Sequence, residues 1–131
     1  MKLGLQIVLG ILSLIPMLVS ILGITQGTGR FLPEGAIAAN FDSHYRYITG
    51  YYFSLSLIAW WIIPRIEKHT TILRIICGGI FLGGIGRLIS MSQVGIPQPS
   101  AIAFTILELM LPLLCLWQMK LPNHKKYRIE R

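Results

Sequence analysis

Residues 71–91 read TILRIICGGIFLGGIGRLISM, a run whose only charged side chains are Arg74 and Arg87. The hydrocarbon layer of a bilayer takes roughly 20 predominantly apolar residues of helix, so this run predicts a membrane-crossing helix over about Thr71 to Met91. Small residues recur in it at helical spacing: Gly79, Gly83, Gly86 and Ser90 fall in one narrow sector, and Gly79 with Gly83 forms a GxxxG match. Helices in lipid associate by close packing more than by hydrophobic drive, so small residues mark contact faces. This face is expected to pack against neighbouring helices of the same chain, with a homodimer as the alternative.

Working outward, three further windows have the same character: Leu3 to Thr25, about Ser43 to Ile63, and about Ser100 to Met119. The link from Gln26 to Asp42 is rich in glycine and polar residues and contains Pro33, which predicts an exposed loop with a short interfacial helix around Glu34 to Asn40. The second link runs from Pro64 to about Thr70. The third is the turn Gly95-Ile96-Pro97-Gln98-Pro99, in which Pro99 suits the first turn of a helix. Short links make sequence neighbours antiparallel. The expected fold is therefore all-α: an integral membrane four-helix bundle forming a single transmembrane domain over residues 1–131, with residues 120–131 as a basic tail.

Composition agrees. Of 131 residues, 53% are hydrophobic and 13% charged, and the mean hydropathy is +0.64, too apolar for an ordinary soluble domain. The net charge of +7 does not predict nucleic-acid binding, because the basic residues stand at the ends of the apolar windows. Lys2, Arg65, Lys68, Arg74, Lys120, Lys125, Lys126, Arg128 and Arg131 fall on one side, and Arg30, Arg46 and Arg87 toward the other, which predicts both termini in the cytoplasm. The basic tail around His124 to Arg128 serves first as a topology anchor. Trp60, Trp61 and Trp117 lie near the cytoplasmic ends of their windows, where an aromatic belt is expected. Cys77 and Cys115 lie inside apolar segments, as reduced, inert core residues rather than a disulfide framework. The apolar run after Lys2 reads as a first span rather than a signal peptide, since it continues past Pro16 with no small-residue cleavage site.

Apart from the basic residues assigned to the cytoplasmic ends, four charges remain in or at the edge of these windows: Asp42, Arg46, Arg87 and Glu108. Each costs about 3 kcal/mol or more if left in hydrocarbon, and two acids with two bases can neutralise one another. Asp42 and Arg46 are four residues apart on one helical face, which continues as Gly50 and Ser54. Arg87 flanks the glycine face of its helix. At 1.5 Å per residue, Arg46 and Arg87 lie within roughly a turn of the outer interface and Glu108 roughly 12 Å below the start of its helix, so Glu108 has both arginines as candidate partners. Pro112 has no N–H to offer the carbonyl of Glu108. Tyr45 and Tyr51 supply aromatic walls at the outer end of the second window. The same residues also suit a purely structural ion-pair network. No metal-ligand spacing, phosphate-binding loop, nucleophile turn or dinucleotide fingerprint is present, and no cofactor is expected.

The segments Arg46-Tyr47-Ile48-Thr49-Gly50-Tyr51-Tyr52, Gly83-Gly84-Ile85-Gly86-Arg87-Leu88-Ile89-Ser90 and Gly95-Ile96-Pro97, with Glu108 before Pro112, carry a resemblance. They resemble, over nearly the whole chain, a small bacterial four-helix membrane family with no assigned function, the domain of unknown function 4345, and more distantly the DoxX-like membrane proteins. The resemblance implies that fold and a bacterial inner membrane. It implies no activity, and the DoxX-like relatives suggest roles beside redox or quinone-linked systems.

The leading functional expectation is a noncatalytic small membrane protein. Its cluster of Asp42, Arg46, Arg87 and Glu108, walled by Tyr45 and Tyr51, would bind a small amphiphile, lipid or quinone, or support a partner membrane subunit. Two rivals remain: an oligomeric transporter in which Glu108 exchanges a proton, and an enzyme acting on a lipid or quinone with Glu108 as general acid or base.

Overall fold

A computed structural model describes residues 1–32 and 39–121. The expected interfacial helix around Glu34 to Asn40 falls largely outside them, as does the basic tail beyond Leu121. Among the described residues the chain is helical throughout, with no strand: α1 (Lys2–Gln26), α2 (Ala39–Ile62), α3 (Thr70–Val94), α4 (Pro99–Met110) and α5 (Pro112–Met119). Short 3-10 turns at Gly27–Arg30 and Ile63–Lys68 follow α1 and α2. The last two helices are one apolar run interrupted at Leu111, immediately before Pro112, whose ring and missing N–H break the ladder of the preceding turn. α1 and α3, with α4 and α5 taken as one run, are long and apolar enough to cross a membrane. α2 has 24 residues, but its tyrosines, serines and charged pair make it more polar than those three.

The distribution of side chains is that of a protein whose solvent is lipid. Large apolar residues such as Ile11, Leu18, Ile75, Leu82 and Leu116 face outward, whereas Ser13, Ser20, Thr49, Ser56 and Thr105 are buried. Hydrocarbon gives apolar side chains no reason to hide, so beside buried Leu5, Ile62, Ile66 and Leu73 the buried positions include small polar residues that bring backbones together and hydrogen-bond across helices.

Contacts divide the chain into two compact units. The first is Gln6–Pro64. In it α1 and α2 run antiparallel: Gln6 Nε2 donates to the Ile63 carbonyl at 2.8 Å, and Trp60 Nε1 to Ser13 Oγ at 2.7 Å. Pro16 leaves the Leu12 carbonyl without its helical donor, and one residue on, Ser56 Oγ reaches the Ser13 carbonyl at 3.0 Å. Further along, a Cβ on Gly23 would come within 2.6 Å of Thr49. The seam of α2 facing α1 thus runs through Asp42, Arg46, Thr49, Ser56 and Trp60. The expected stripe through Gly50 and Ser54 is corrected: nothing stands within 4 Å of a Cβ at Gly50, and Ser54 is exposed. A helix turns about 100° per residue, so steps of four drift by about 40° each and carry Ser54 off the seam.

The second unit joins Met1–Leu5 to the chain from Arg65 onward. α3 packs on α4 and α5, and Lys2 Nζ pairs with Glu67 Oε2 at 2.9 Å. Gln118 Nε2 donates to the Ile66 carbonyl. A Cβ on Gly4 would lie 3.3 Å from the Trp117 ring. Burial pushes the Glu67 carboxyl up, but the Lys2 ammonium, its own backbone and Lys68 outweigh that and hold it below the usual carboxylate range.

Among the described residues of this unit no neighbouring helix covers the small-residue face of α3. Gly79, Gly83, Gly86 and Ser90 are exposed, and nothing lies within 4 Å of a Cβ built on any of the three glycines. The glycine at which another helix closes on α3 is Gly84, on a different side. There a Cβ would stand 3.1 Å from Leu109 Cδ2 and 3.2 Å from Glu108 Cβ.

Candidate functional site

The four charges of the sequence form two ion pairs, one in each unit. In the first unit, Asp42 occupies the first turn of α2, ahead of the expected crossing. Its Oδ1 accepts from the Thr28 N–H at 2.6 Å and the Thr28 hydroxyl at 2.9 Å, and its Oδ2 accepts from Arg46 Nε at 2.7 Å. Arg46 Nη1 donates onward to the carbonyls of Ile24 and, at 3.3 Å, Thr25. Those carbonyls belong to the last turn of α1, where no intrahelical donor remains. The pair therefore caps one helix from the opening turns of the next. The Arg46 guanidinium, followed by the Thr28 backbone and hydroxyl, holds the Asp42 carboxyl well below the usual range, at about 2.

Gly27 makes this arrangement fit. Its φ of +58° is left-handed, and a Cβ there would collide with Asp42 Oδ1 and Arg46 Nη2. Neither Gly27 nor Thr28 was singled out from the sequence. The available signal was a Gly-Thr-Gly run directly after an apolar helix, the composition of a helix end with a left-handed residue.

The second pair stands between two helices, α3 and the α4–α5 run, that are apolar enough to cross a membrane. Because Gly84 presents no side chain, α4 approaches α3 closely enough for Glu108 Cβ to lie against it. Arg87 is three residues on, and helical side chains lean back toward the N-terminus, over the turn that contains Gly84. Arg87 Nε meets Glu108 Oε2 at 3.0 Å. The Glu108 side chain is 19% exposed and that of Arg87 42%. Of the two partners expected for Glu108, the structure pairs it with Arg87, while Arg46 serves Asp42. A guanidinium carries five N–H donors in a planar fork, so an ion pair through Nε leaves the Nη edge able to hold a second anionic oxygen.

The tyrosines expected as walls have partners of their own. Tyr45 packs edge-on against Phe31, with centroids 5.9 Å apart. The hydroxyls of Tyr51 and Tyr47 are 2.6 Å apart on the exposed side of α2. Among the described residues no group of three His, Cys, Asp or Glu is placed to hold a metal ion.

In the first pair Asp42 and Arg46 spend their donors and acceptors on one another, on Thr28 and on the end of α1, the arrangement of a structural clamp. In the second, a half-exposed arginine is balanced by a carboxylate and keeps an edge for another anion. The family model described as a domain of unknown function (DUF4345) matches residues 4–119. Neither a curated protein nor a solved structure matches the chain.

Proposed function

The chain belongs to the DUF4345 family, and we propose that it is a noncatalytic, four-crossing protein of the bacterial inner membrane, with both ends cytoplasmic, that holds an anionic amphiphile at Arg87. The observation that carries this reading is the Arg87–Glu108 pair at 3.0 Å between α3 and α4, with the arginine half-exposed. A charge in such surroundings is retained at a cost of about 3 kcal/mol or more unless it is compensated. Glu108 compensates it when the site is empty. A lipid or quinone-like molecule with an anionic oxygen on an apolar body would share the guanidinium fork, while its body lies along the outward apolar side chains of the same helices. α2, long enough to cross but more polar, would make its crossing with Asp42 and Arg46 neutralised at its outer end.

Native mass spectrometry of protein extracted gently from its own membrane tests this. The wild type should carry a small amphiphile that Arg87→Ala loses and Asp42→Asn keeps. Equal loads in wild type and Arg87→Ala would overturn it. A double-mutant cycle over Arg87→Ala and Glu108→Ala separates binding from a purely structural pair, whose single losses are partly restored in the double variant.

One observation favours a second reading, support of a partner subunit or a second copy. The face of Gly79, Gly83, Gly86 and Ser90 is bare and shaped for close helix packing. Gly83→Leu should then dissociate the complex without unfolding the chain.

A further inference from the structure

We propose that a rim of basic residues in the second unit, Arg65, Lys68, Arg74 and Lys120, binds the phosphodiester headgroup of an anionic phospholipid. This site is separate from Arg87 and does not rest on the function proposed for it.

Three stretches distant in sequence are tied together there. Lys2 pairs with Glu67 at 2.9 Å, Gln118 donates to the Ile66 carbonyl, and Gly4 lies against the Trp117 ring. Lys2, Arg65, Lys68 and Lys120 therefore come from elements fixed to one another, and Arg74 stands in the opening turns of α3, which starts at Thr70. All five basic side chains are exposed.

The charge balance is one-sided. Glu67 is committed to Lys2, Glu108 to Arg87, and no acidic residue stands in the first turn of α3. Among the described residues of this unit no other carboxylate remains to meet the four basic residues. Among the described residues the rim thus keeps a surplus of positive charge that an anion from outside would relieve.

The surroundings select the anion. The rim borders the ends of two helices apolar enough to cross a membrane, and Trp117, a residue type that favours the headgroup level, lies at the same end as Lys120. An anion presented there at high local concentration is a lipid phosphodiester. Juxtamembrane basic residues attract anionic headgroups in this way.

The test uses the full chain in mixed micelles of phosphatidylglycerol and phosphatidylcholine, with retained lipid counted by native mass spectrometry. Phosphatidylglycerol should be enriched severalfold over its share of the micelle, less so as salt rises and screens the rim. Arg65→Gln with Lys68→Gln should bring retention close to the micelle's own ratio, whereas Arg87→Ala should leave the enrichment intact. Retention at the bulk ratio in the wild type, or enrichment indifferent to salt, overturns the proposal without recourse to any variant. Enrichment lost in Arg87→Ala and kept in the double variant would overturn it too, and assign the lipid to the α3–α4 pair.

Discussion

Replacing Gly27 by alanine tests the clamp between α1 and α2 directly. The residue sits at φ +58°, a region that costs an L-residue about 1–2 kcal/mol. That is a loss of roughly 5- to 30-fold in the ratio of folded to unfolded protein. The methyl group would also occupy the place of Asp42 Oδ1 and Arg46 Nη2, so the ion pair must move away from Thr28 and from the carbonyls of Ile24 and Thr25. The backbone strain alone is a lower bound on the effect. Gly27→Asn separates the two contributions, because asparagine tolerates left-handed backbone while its Cβ still meets the pair. It should recover only part of the loss. Equilibrium unfolding in mixed detergent micelles, followed by helical circular dichroism, gives both differences against the wild type. If Gly27→Ala unfolds at the wild-type midpoint, the pair does not press on the backbone and the account of the clamp is wrong.

The same titration reads three further substitutions. Gly84→Ala should destabilise by about 1 kcal/mol, because Leu109 and Glu108 must give way by a few tenths of an ångström; Gly83→Ala, with nothing within 4 Å, should be neutral or slightly stabilising in the monomer, and equal effects would refute the assignment of the packing side. Ser56→Ala removes a fully buried hydroxyl from the Ser13 carbonyl and should cost about 1 kcal/mol; an unchanged midpoint would show that the seam does not need it. Glu67 titrates below the ordinary carboxylate range in the folded chain, so its pairing with Lys2 stabilises above that range and the benefit disappears as pH falls through its folded value. Glu67→Gln should flatten the acid limb of the midpoint-against-pH curve, and an acid limb identical to the wild type would remove Glu67 from that role.

Helix extents were legible because a bilayer imposes a length. The windows from Leu3, Thr71 and Ser100 differ from α1, α3 and the α4–α5 run by at most a few residues at either end. The second window starts at Ser43 because the polar, glycine-rich link from Gln26 extends to Asp42, yet the helix begins at Ala39. The Asp42 side chain is satisfied by Thr28, a partner across a loop that no periodicity reports. The Asp42–Arg46 contact was readable from spacing alone, since four residues on a helix are neighbours. The choice of Arg87 for Glu108 was not, because it depends on how closely α4 approaches α3 at Gly84. The α3 glycines show the limit most clearly: spacing tells which side of a helix is flat, but not whether anything comes to lie on it.

The first five residues of the chain belong, by their contacts, with the stretch that begins at Arg65, through Lys2 on Glu67 and Gly4 on Trp117. During synthesis those residues emerge more than a hundred residues ahead of Trp117 and Gln118. Closure of such a distant loop brings its entropy loss ahead of its contacts. The second unit is therefore completed only once the chain has been made through Gln118, and until then the start of α1 waits in the membrane without its full set of partners. A fusion or a bulky label placed at Met1 should accordingly be felt at the far end of the sequence, around Trp117, before it disturbs the helix that carries it.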